Sequence, residues 1–111
     1  MKSYAVKITS YAQKQMAEIR DYIAFRLCSP DSAANLLREM YKAATSLSQM
    51  PERFGKIEEE PWRERGIRKL SVKNFFVYYW IDEESSVVYV TAVTYAMRDQ
   101  INVLYNMDKS K

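Results

Sequence analysis

Residues 68–82 read Arg-Lys-Leu-Ser-Val-Lys-Asn-Phe-Phe-Val-Tyr-Tyr-Trp-Ile-Asp, and residues 87–99 read Val-Val-Tyr-Val-Thr-Ala-Val-Thr-Tyr-Ala-Met-Arg-Asp. Two turn signals interrupt this part of the chain, at Lys73-Asn74 and at residues 82–86. They separate three runs that are rich in β-branched and aromatic residues, which is typical of strands. The stretch therefore predicts a three-stranded antiparallel meander.

A two-residue turn at Lys73 and Asn74, with Asn74 in the left-handed conformation, would fix the register of the first hairpin. It predicts four facing pairs: Val72 with Phe75, Ser71 with Phe76, Leu70 with Val77, and Lys69 with Tyr78. One face of the hairpin is then wholly apolar and carries Leu70, Val72, Phe75, Val77, Tyr79 and Ile81. The other face carries Lys69, Ser71, Phe76, Tyr78 and Trp80. Large aromatics beside a cation are not typical of a merely solvated face, so we look for function there.

Upstream of the meander the pattern predicts one short strand and two helices. Residues 4–8 alternate as a strand does, and two stripes at helical spacing follow, separated by Ser29-Pro30-Asp31. The first stripe comprises Ala12, Met16, Ile19, Ile23 and Leu27, and the second comprises Ala33, Leu37, Met40, Ala44 and Leu47. The short connection requires an antiparallel helical hairpin. Residues 51–66 read as an irregular connection, and apolar residues beyond Asp99 predict a short C-terminal helix.

The expected fold class is therefore α+β, with an N-terminal strand, an antiparallel helical hairpin, a three-stranded antiparallel meander and a short C-terminal helix. The length of 111 residues predicts a single domain over residues 1–111. The formal charge of +3 is too small to indicate a polyanionic partner by itself. The chain has no apolar run long enough to span a membrane, its start lacks a signal-peptide core, and Cys28 has no second cysteine to pair with. We expect a cytoplasmic protein with no membrane partner, no metal and no cofactor.

The order and spacing of these segments resemble the RelE/ParE superfamily, the toxins of bacterial type II toxin–antitoxin modules. The resemblance covers nearly the whole chain and lies in the helical stripes and in the helix exit at residues 47–51 with Gly55 after it. It continues in residues 67–72, the aromatic strand at residues 75–82 and the segment Val93-Thr-Tyr-Ala-Met-Arg-Asp99. It implies a growth-inhibiting toxin of a plasmid stabilization or addiction module, held silent by a cognate antitoxin.

The superfamily divides by chemistry. RelE-like members resemble ribosome-dependent endoribonucleases that cut mRNA, whereas ParE-like members inhibit DNA gyrase and cleave nothing. Lys69 and Arg98 match basic positions of the nucleases and would be the catalytic residues if this chain is one. Phe76 stands where the nucleases carry a strand arginine, and Leu104 stands about where they place a terminal tyrosine, although Tyr105 is adjacent. The chain also has no histidine. Whether it is an enzyme is therefore left open, and the missing cation favours the ParE-like branch.

The resemblance also assigns contacts. Lys69, Lys73, Tyr95 and Arg98 are the expected contacts to the target, which is DNA gyrase or ribosome-bound mRNA. Phe76, Tyr78 and Trp80 are the expected antitoxin-binding residues, because a disordered antitoxin segment that folds across an aromatic surface suits a peptide-binding groove. Two alternatives stay open for these aromatics: partial cover by the C-terminal helix of the chain, and a platform on which nucleic-acid bases stack. A non-toxic protein-binding domain on the same fold is the function from another class, since a fold does not determine function.

Overall fold

The computed structural model describes residues 2–97 and 100–107. The elements, in chain order, are β1 (Ala5–Ile8), α1 (Ser10–Asp21), a π-helical turn (Tyr22–Arg26), α2 (Pro30–Ser46), a 3-10 turn (Pro51–Arg53), β2 (Arg68–Val72), β3 (Phe75–Asp82), β4 (Val87–Tyr95) and α3 (Gln100–Asn106). This order confirms the predicted α+β fold, with one strand, a helical hairpin, a meander and a short last helix.

The four strands form one sheet in the order β1-β4-β3-β2. β1 runs parallel to β4, while β2, β3 and β4 form the antiparallel meander. All four predicted pairs of the first hairpin are confirmed, and Arg68 faces Tyr79 beyond them. One detail of the turn is wrong: the positive φ, 54°, belongs to Lys73 and not to Asn74.

A β-bulge interrupts the second hairpin. Tyr78 faces Ala92, but the next residue, Tyr79, faces Val90, so Thr91 is the extra residue on β4. β1 ends at the same level, where the Thr9 amide donates to the Val90 carbonyl at 2.9 Å. Beyond this point α1 takes over the edge of β4, because the side chain of Gln15 accepts from the Val93 amide at 2.7 Å.

The helical hairpin differs in two places from its predicted stripes. Thr9 caps α1, but α1 ends at Asp21 and a π-helical turn follows, so Leu27 at the end of the first stripe is 56% exposed. Pro30 occupies the first turn of α2, where its missing amide costs no hydrogen bond. On α2, Leu36 is more deeply buried than the predicted Leu37. The extra residue in the π turn rotates the chain and breaks the four-residue spacing that the stripe assumed.

The sheet face that we call the helix face carries Leu70, Val72, Phe75, Val77, Tyr79 and Ile81, as predicted. It packs on α1 and α2 through a second set of apolar side chains: Ala12, Met16, Leu36, Met40, Ala44 and Leu47. At about 25 cal/mol per Å² of apolar surface removed from water, this layer supplies most of the favourable free energy of folding. The main core of the molecule lies here.

The opposite face, which we call the aromatic face, carries Lys69, Ser71, Phe76, Tyr78 and Trp80. It has its own apolar cluster, to which residues outside the sheet contribute Ile57, Trp62, Ile67, Val103 and Leu104. Much of this face is thus covered by the 55–67 segment and by α3. Partial cover by the C-terminal helix is one of the alternatives that the sequence left open. Trp62 is 4% exposed, although residues 51–66 were interpreted only as an irregular connection.

Candidate functional site

Lys69 lies on the aromatic face, on the edge strand β2. β2 places it opposite Tyr78, two residues from the pair formed by Ser71 and Phe76. Its Nζ lies 4.1 Å from the centroid of the Phe76 ring, a distance at which an ammonium is attracted to an aromatic face. Lys69 is half-buried, so its charge is held in place and still reaches solvent.

Tyr78 lies beneath α3 and is 1% exposed. Its hydroxyl donates to Oε1 of Gln100 at 2.7 Å, and Nε2 of Gln100 donates in turn to the Ala96 carbonyl at 2.9 Å. Burial raises the pKa of Tyr78 well above its usual range, because the phenolate would lose its hydration there. Tyr78 is therefore a protonated hydrogen-bond donor inside the chain, and the interpretation of this face as open is wrong at Tyr78.

The other two aromatic residues keep part of their surface. Phe76 and Trp80 are half-buried, and the Trp80 ring stacks on Tyr89 with centroids 5.2 Å apart and an interplanar angle of 25°. Phe76 meets the edge of Tyr78 at 6.4 Å. Both rings are packed against neighbouring aromatic rings and keep part of their surface exposed, as aromatic residues at an interface often do.

The structure describes three of the four expected target contacts, and it does not bring these three together. Lys73 is exposed in the β2–β3 turn. Tyr95 lies at the end of β4 on the helix face, where its ring meets Phe75 at 5.6 Å, so it points away from Lys69. Arg98 lies outside the described residues. Strand alternation places Tyr95 on that face, because it follows the side chains of Val93 and Thr94 in strict order.

Arg68 adds no charge to the aromatic face. Its Nη1 donates to the carbonyls of Phe54, at 2.6 Å, and Glu52, at 3.2 Å. Arg68 therefore points with Leu70 and away from Lys69, as alternation along β2 requires. On the same side Tyr79 donates to the Pro51 carbonyl at 2.6 Å, and burial raises its pKa to about 12 against the opposing effect of Arg68.

Three residues of the aromatic face were not singled out from the sequence. Trp62 meets the exposed Tyr105 ring edge-on at 5.0 Å, and Gln100 fixes the Tyr78 hydroxyl. Thr94 faces Phe76 and is 2% exposed, and among the described residues its Oγ1 has no hydrogen-bond partner. The bulge shifts Thr94 to face Phe76, α3 brings Gln100 to Tyr78, and the 55–67 segment brings Trp62 to the same cluster; none of these leaves a periodic signal in the sequence.

Residues 2–97 and 100–107 contain neither a metal-binding group nor a membrane-spanning helix. No group of three or more histidine, cysteine or acidic side chains is placed to hold a metal ion. None of the helices in these ranges is both long and apolar enough to cross a membrane.

Comparison with solved structures finds the same fold in toxin structures. The chromosomal ParDE toxin–antitoxin system from P. aeruginosa superposes with a TM-score of 0.70 at 17% identity, covering 86% of this chain and 98% of that one. The RelBE2 toxin–antitoxin complex from Mycobacterium tuberculosis gives a TM-score of 0.63 at 20% identity, covering 84% and 98%. A mutant of the E. coli toxin RelE in the free state gives 0.63 at 15% identity, covering 93% and 96%.

Sequence comparison is more selective. Among curated proteins, none matches the chain significantly. The profile described as the ParE toxin of the type II toxin–antitoxin system parDE matches residues 6–100. That match spans β1, the helical hairpin, the whole meander and the start of α3. The fold and this match together lead to one conclusion: the chain belongs to the ParE toxin family and is a RelE/ParE superfamily toxin of a type II toxin–antitoxin module.

Proposed function

We propose that this toxin inhibits growth as ParE-like proteins do, by binding DNA gyrase in the cytoplasm without cleaving RNA, and that a cognate antitoxin silences it. The observation that carries the proposal is the chemistry around Phe76. An aromatic ring stands where a nuclease would hold a cation, and the Lys69 ammonium rests 4.1 Å from its centre.

Cleavage of RNA through its 2′-hydroxyl requires a group that accepts a proton, cations for the phosphorane and an acid for the leaving oxygen. Tyr78 cannot accept a proton as a base, because burial raises its pKa and keeps its hydroxyl protonated, and that hydroxyl donates a hydrogen bond to Gln100. Lys69 alone adds one charge beside a neutral ring, and Arg68 is engaged with backbone carbonyls. These contacts favour a surface that binds over one that catalyses.

Binding to gyrase would use the exposed Lys73 and the half-buried Lys69, with Arg98 and Tyr95 as further contacts of the proposal. Such cations meet acidic patches of a protein surface and raise the rate of association more than the final affinity. The two lysines belong to the same hairpin: Lys73 lies in the β2–β3 turn, and Lys69 lies in the fourth pair from that turn, opposite Tyr78.

The test is expression from an inducible promoter, followed by a supercoiling assay with purified gyrase and by mapping of transcript ends. We expect growth arrest, loss of supercoiling activity and no new transcript ends. Lys69→Ala should weaken gyrase inhibition, whereas Lys42→Ala, which removes an exposed lysine from α2, should not. New ribosome-dependent ends, formed roughly 100-fold more slowly by Lys69→Ala, would instead establish the RelE-like ribonuclease.

The antitoxin is proposed to contact Phe76 and Trp80, and Tyr78 behind them. Buried aromatic anchors dominate interface energies, so Trp80→Ala should weaken neutralisation by roughly 2 kcal/mol or more and leave much of the toxicity. Arg98→Ala should do the reverse. Co-expression of each variant with the antitoxin, scored by growth, distinguishes the two residues. A Trp80→Ala protein that remains folded and is neutralised at full strength would contradict this contact.

A further inference from the structure

The residue that follows α3 contacts the β-bulge. Thr91, the extra residue of β4, is fully buried, and its hydroxyl lies within hydrogen-bond distance of two acceptors. They are Sδ of Met107, at 3.3 Å, and the Tyr78 carbonyl, at 3.4 Å. A hydroxyl has one proton to donate, and a thioether is a weak acceptor, so a sulfur atom shares in satisfying a buried polar group. This contact joins the end of α3 to the sheet.

Met107 combines access to solvent with packing, which sets it apart from the other methionines that the structure describes. Met16 and Met40 are buried in the main core. Met50 and Met97 are exposed, and neither is part of the two apolar clusters of the described residues. Met107 is half-buried and packs against the cluster of the aromatic face. A small oxidant can therefore reach its sulfur, and a change at that sulfur alters a packed contact.

Oxidation would make this contact polar. Hydrogen peroxide transfers one oxygen atom to a lone pair of Sδ: the O–O bond breaks, an S–O bond forms, the sulfide is oxidised to a sulfoxide and the peroxide is reduced to water. The buried side chains of α3, Val103 and Leu104, offer the new oxygen no hydrogen bond. Thr91 has a single proton for this oxygen and for the Tyr78 carbonyl together. Because a buried polar atom without a partner is costly, the sulfoxide favours a state in which this end of α3 leaves the bulge.

In the described part of the chain, α3 is held to the sheet by few contacts. It comprises seven residues, and its buried side chains are Val103 and Leu104. At its first residue, Gln100 accepts from the Tyr78 hydroxyl at 2.7 Å. A helix of this length is not stable by itself in water and forms only while its apolar side is packed. Loosening the contact at Met107 therefore loosens the whole helix.

We propose that Met107 is a redox-sensitive latch: hydrogen peroxide oxidises its sulfur, the sulfoxide releases α3 from the bulge, and the part of the aromatic face around Tyr78 becomes accessible. Methionine sulfoxide is reduced back by dedicated enzymes, so the latch is reversible. The proposed function assigns the antitoxin to this face, but the latch requires neither that contact nor binding to gyrase. It gives one surface two states, covered by α3 or open.

The experiment treats the purified chain with hydrogen peroxide. Peptide mass spectrometry measures the sulfoxide at each methionine, and deuterium exchange follows the amides of residues 104–107, which close the helical hydrogen bonds at this end of the chain. We expect exchange at these amides to rise about 10-fold or more once Met107 is oxidised, while the amides of β3 remain protected. Treatment with methionine sulfoxide reductases should restore the slow exchange.

Two substitutions of the same residue form a matched pair. Met107→Leu keeps the apolar character and nearly the volume of the side chain and cannot be oxidised, so α3 should exchange slowly with or without peroxide. Met107→Gln places a polar amide in the cluster, so α3 should exchange fast even without peroxide. Met97→Leu removes an exposed methionine and should respond to peroxide as the wild type does.

Four outcomes would overturn the latch. The first is a Met107 that stays reduced while Met50 and Met97 are oxidised, because its sulfur is then out of reach. The second is a chain whose sulfoxide lies at Met107 and whose α3 exchanges as slowly as before. The third is a Met107→Leu variant that responds to peroxide as strongly as the wild type. The fourth is fast exchange at β3 as well, because the oxidised chain then unfolds as a whole and α3 is not released alone.

Discussion

Helices α1 and α2 close one face of the sheet, whereas an irregular segment and the seven-residue α3 close the other. The helix face is covered by two long elements whose apolar side chains recur at regular spacing. The aromatic face is covered by pieces without such spacing, and its rings at Phe76 and Trp80 keep part of their surface. The difference teaches that regular spacing produces the larger core, whereas the irregular cover of the aromatic face leaves two rings with part of the surface that the proposed antitoxin contact would use.

The largest expected effect compares one leucine from each face. Leu47 and Leu104 are both almost fully buried, Leu47 against α1 and the sheet and Leu104 on α3. Leu47→Ala should lower the free energy of unfolding by about 2–5 kcal/mol, and Leu104→Ala should fall at or below the lower end, because a short terminal helix can settle into the cavity. Urea unfolding followed by circular dichroism measures both. Equal losses would show that the aromatic face is as rigid a core as the helix face.

A smaller loss of stability is expected when the hydroxyl of Tyr78 or of Tyr79 is removed. These adjacent tyrosines project to opposite faces of the sheet. Tyr79→Phe leaves the buried Pro51 carbonyl without its donor and should cost about 1–3 kcal/mol of stability. Tyr78→Phe removes the bond to Gln100, whose amide lies near solvent at the start of α3, and should cost about 0.5–1.5 kcal/mol. The same urea assay ranks them. A larger loss for Tyr78→Phe would mean that α3 is held more tightly than its contacts indicate.

The smallest expected effect is the loss of folding stability at alkaline pH. The pKa of Tyr79 is about 12 in the folded chain, above its ordinary value of 10.0, so the folded state holds this proton more tightly than the unfolded state. The contribution of Tyr79 is therefore complete below about pH 10 and is lost as the pH rises toward about 12. Unfolding midpoints measured across this range should fall, and should fall less steeply in Tyr79→Phe. An identical slope in the variant would place the alkaline sensitivity elsewhere, with Tyr78 as the next residue to test.

The sequence predicted the helix face more completely than the aromatic face, for physical reasons. The length of the Lys73-Asn74 turn determines every pair of the first hairpin, and strand alternation then assigns each side chain to a face. Trp62 and Ile57 lie in a segment with no period, so their burial depends on distant contacts that no local pattern encodes. The position of β1 beside β4, and the bulge at Thr91, are decided in the same way by tertiary packing.

The sequence predicted only part of how the candidate residues are arranged on the two faces, and their roles stay predictions. Lys69, Phe76 and Trp80 do share a face, because the register that places them there is local. Tyr95 was grouped with Lys69 by resemblance alone, and alternation along β4 sends it to the other face. Burial of Tyr78 depends on α3, whose position over the sheet could not be derived from a stripe of four apolar residues.

The contact between Gln15 and the Val93 amide provides a reporter within the backbone. That amide belongs to a strand, yet its hydrogen bond is made by a side chain of α1 and not by a neighbouring strand. Deuterium exchange at this one position therefore follows the docking of the helical hairpin, while exchange at the other β4 amides follows the opening of the sheet. Loosening of the hairpin from the sheet would thus be detected at a single backbone amide while the rest of β4 stays protected.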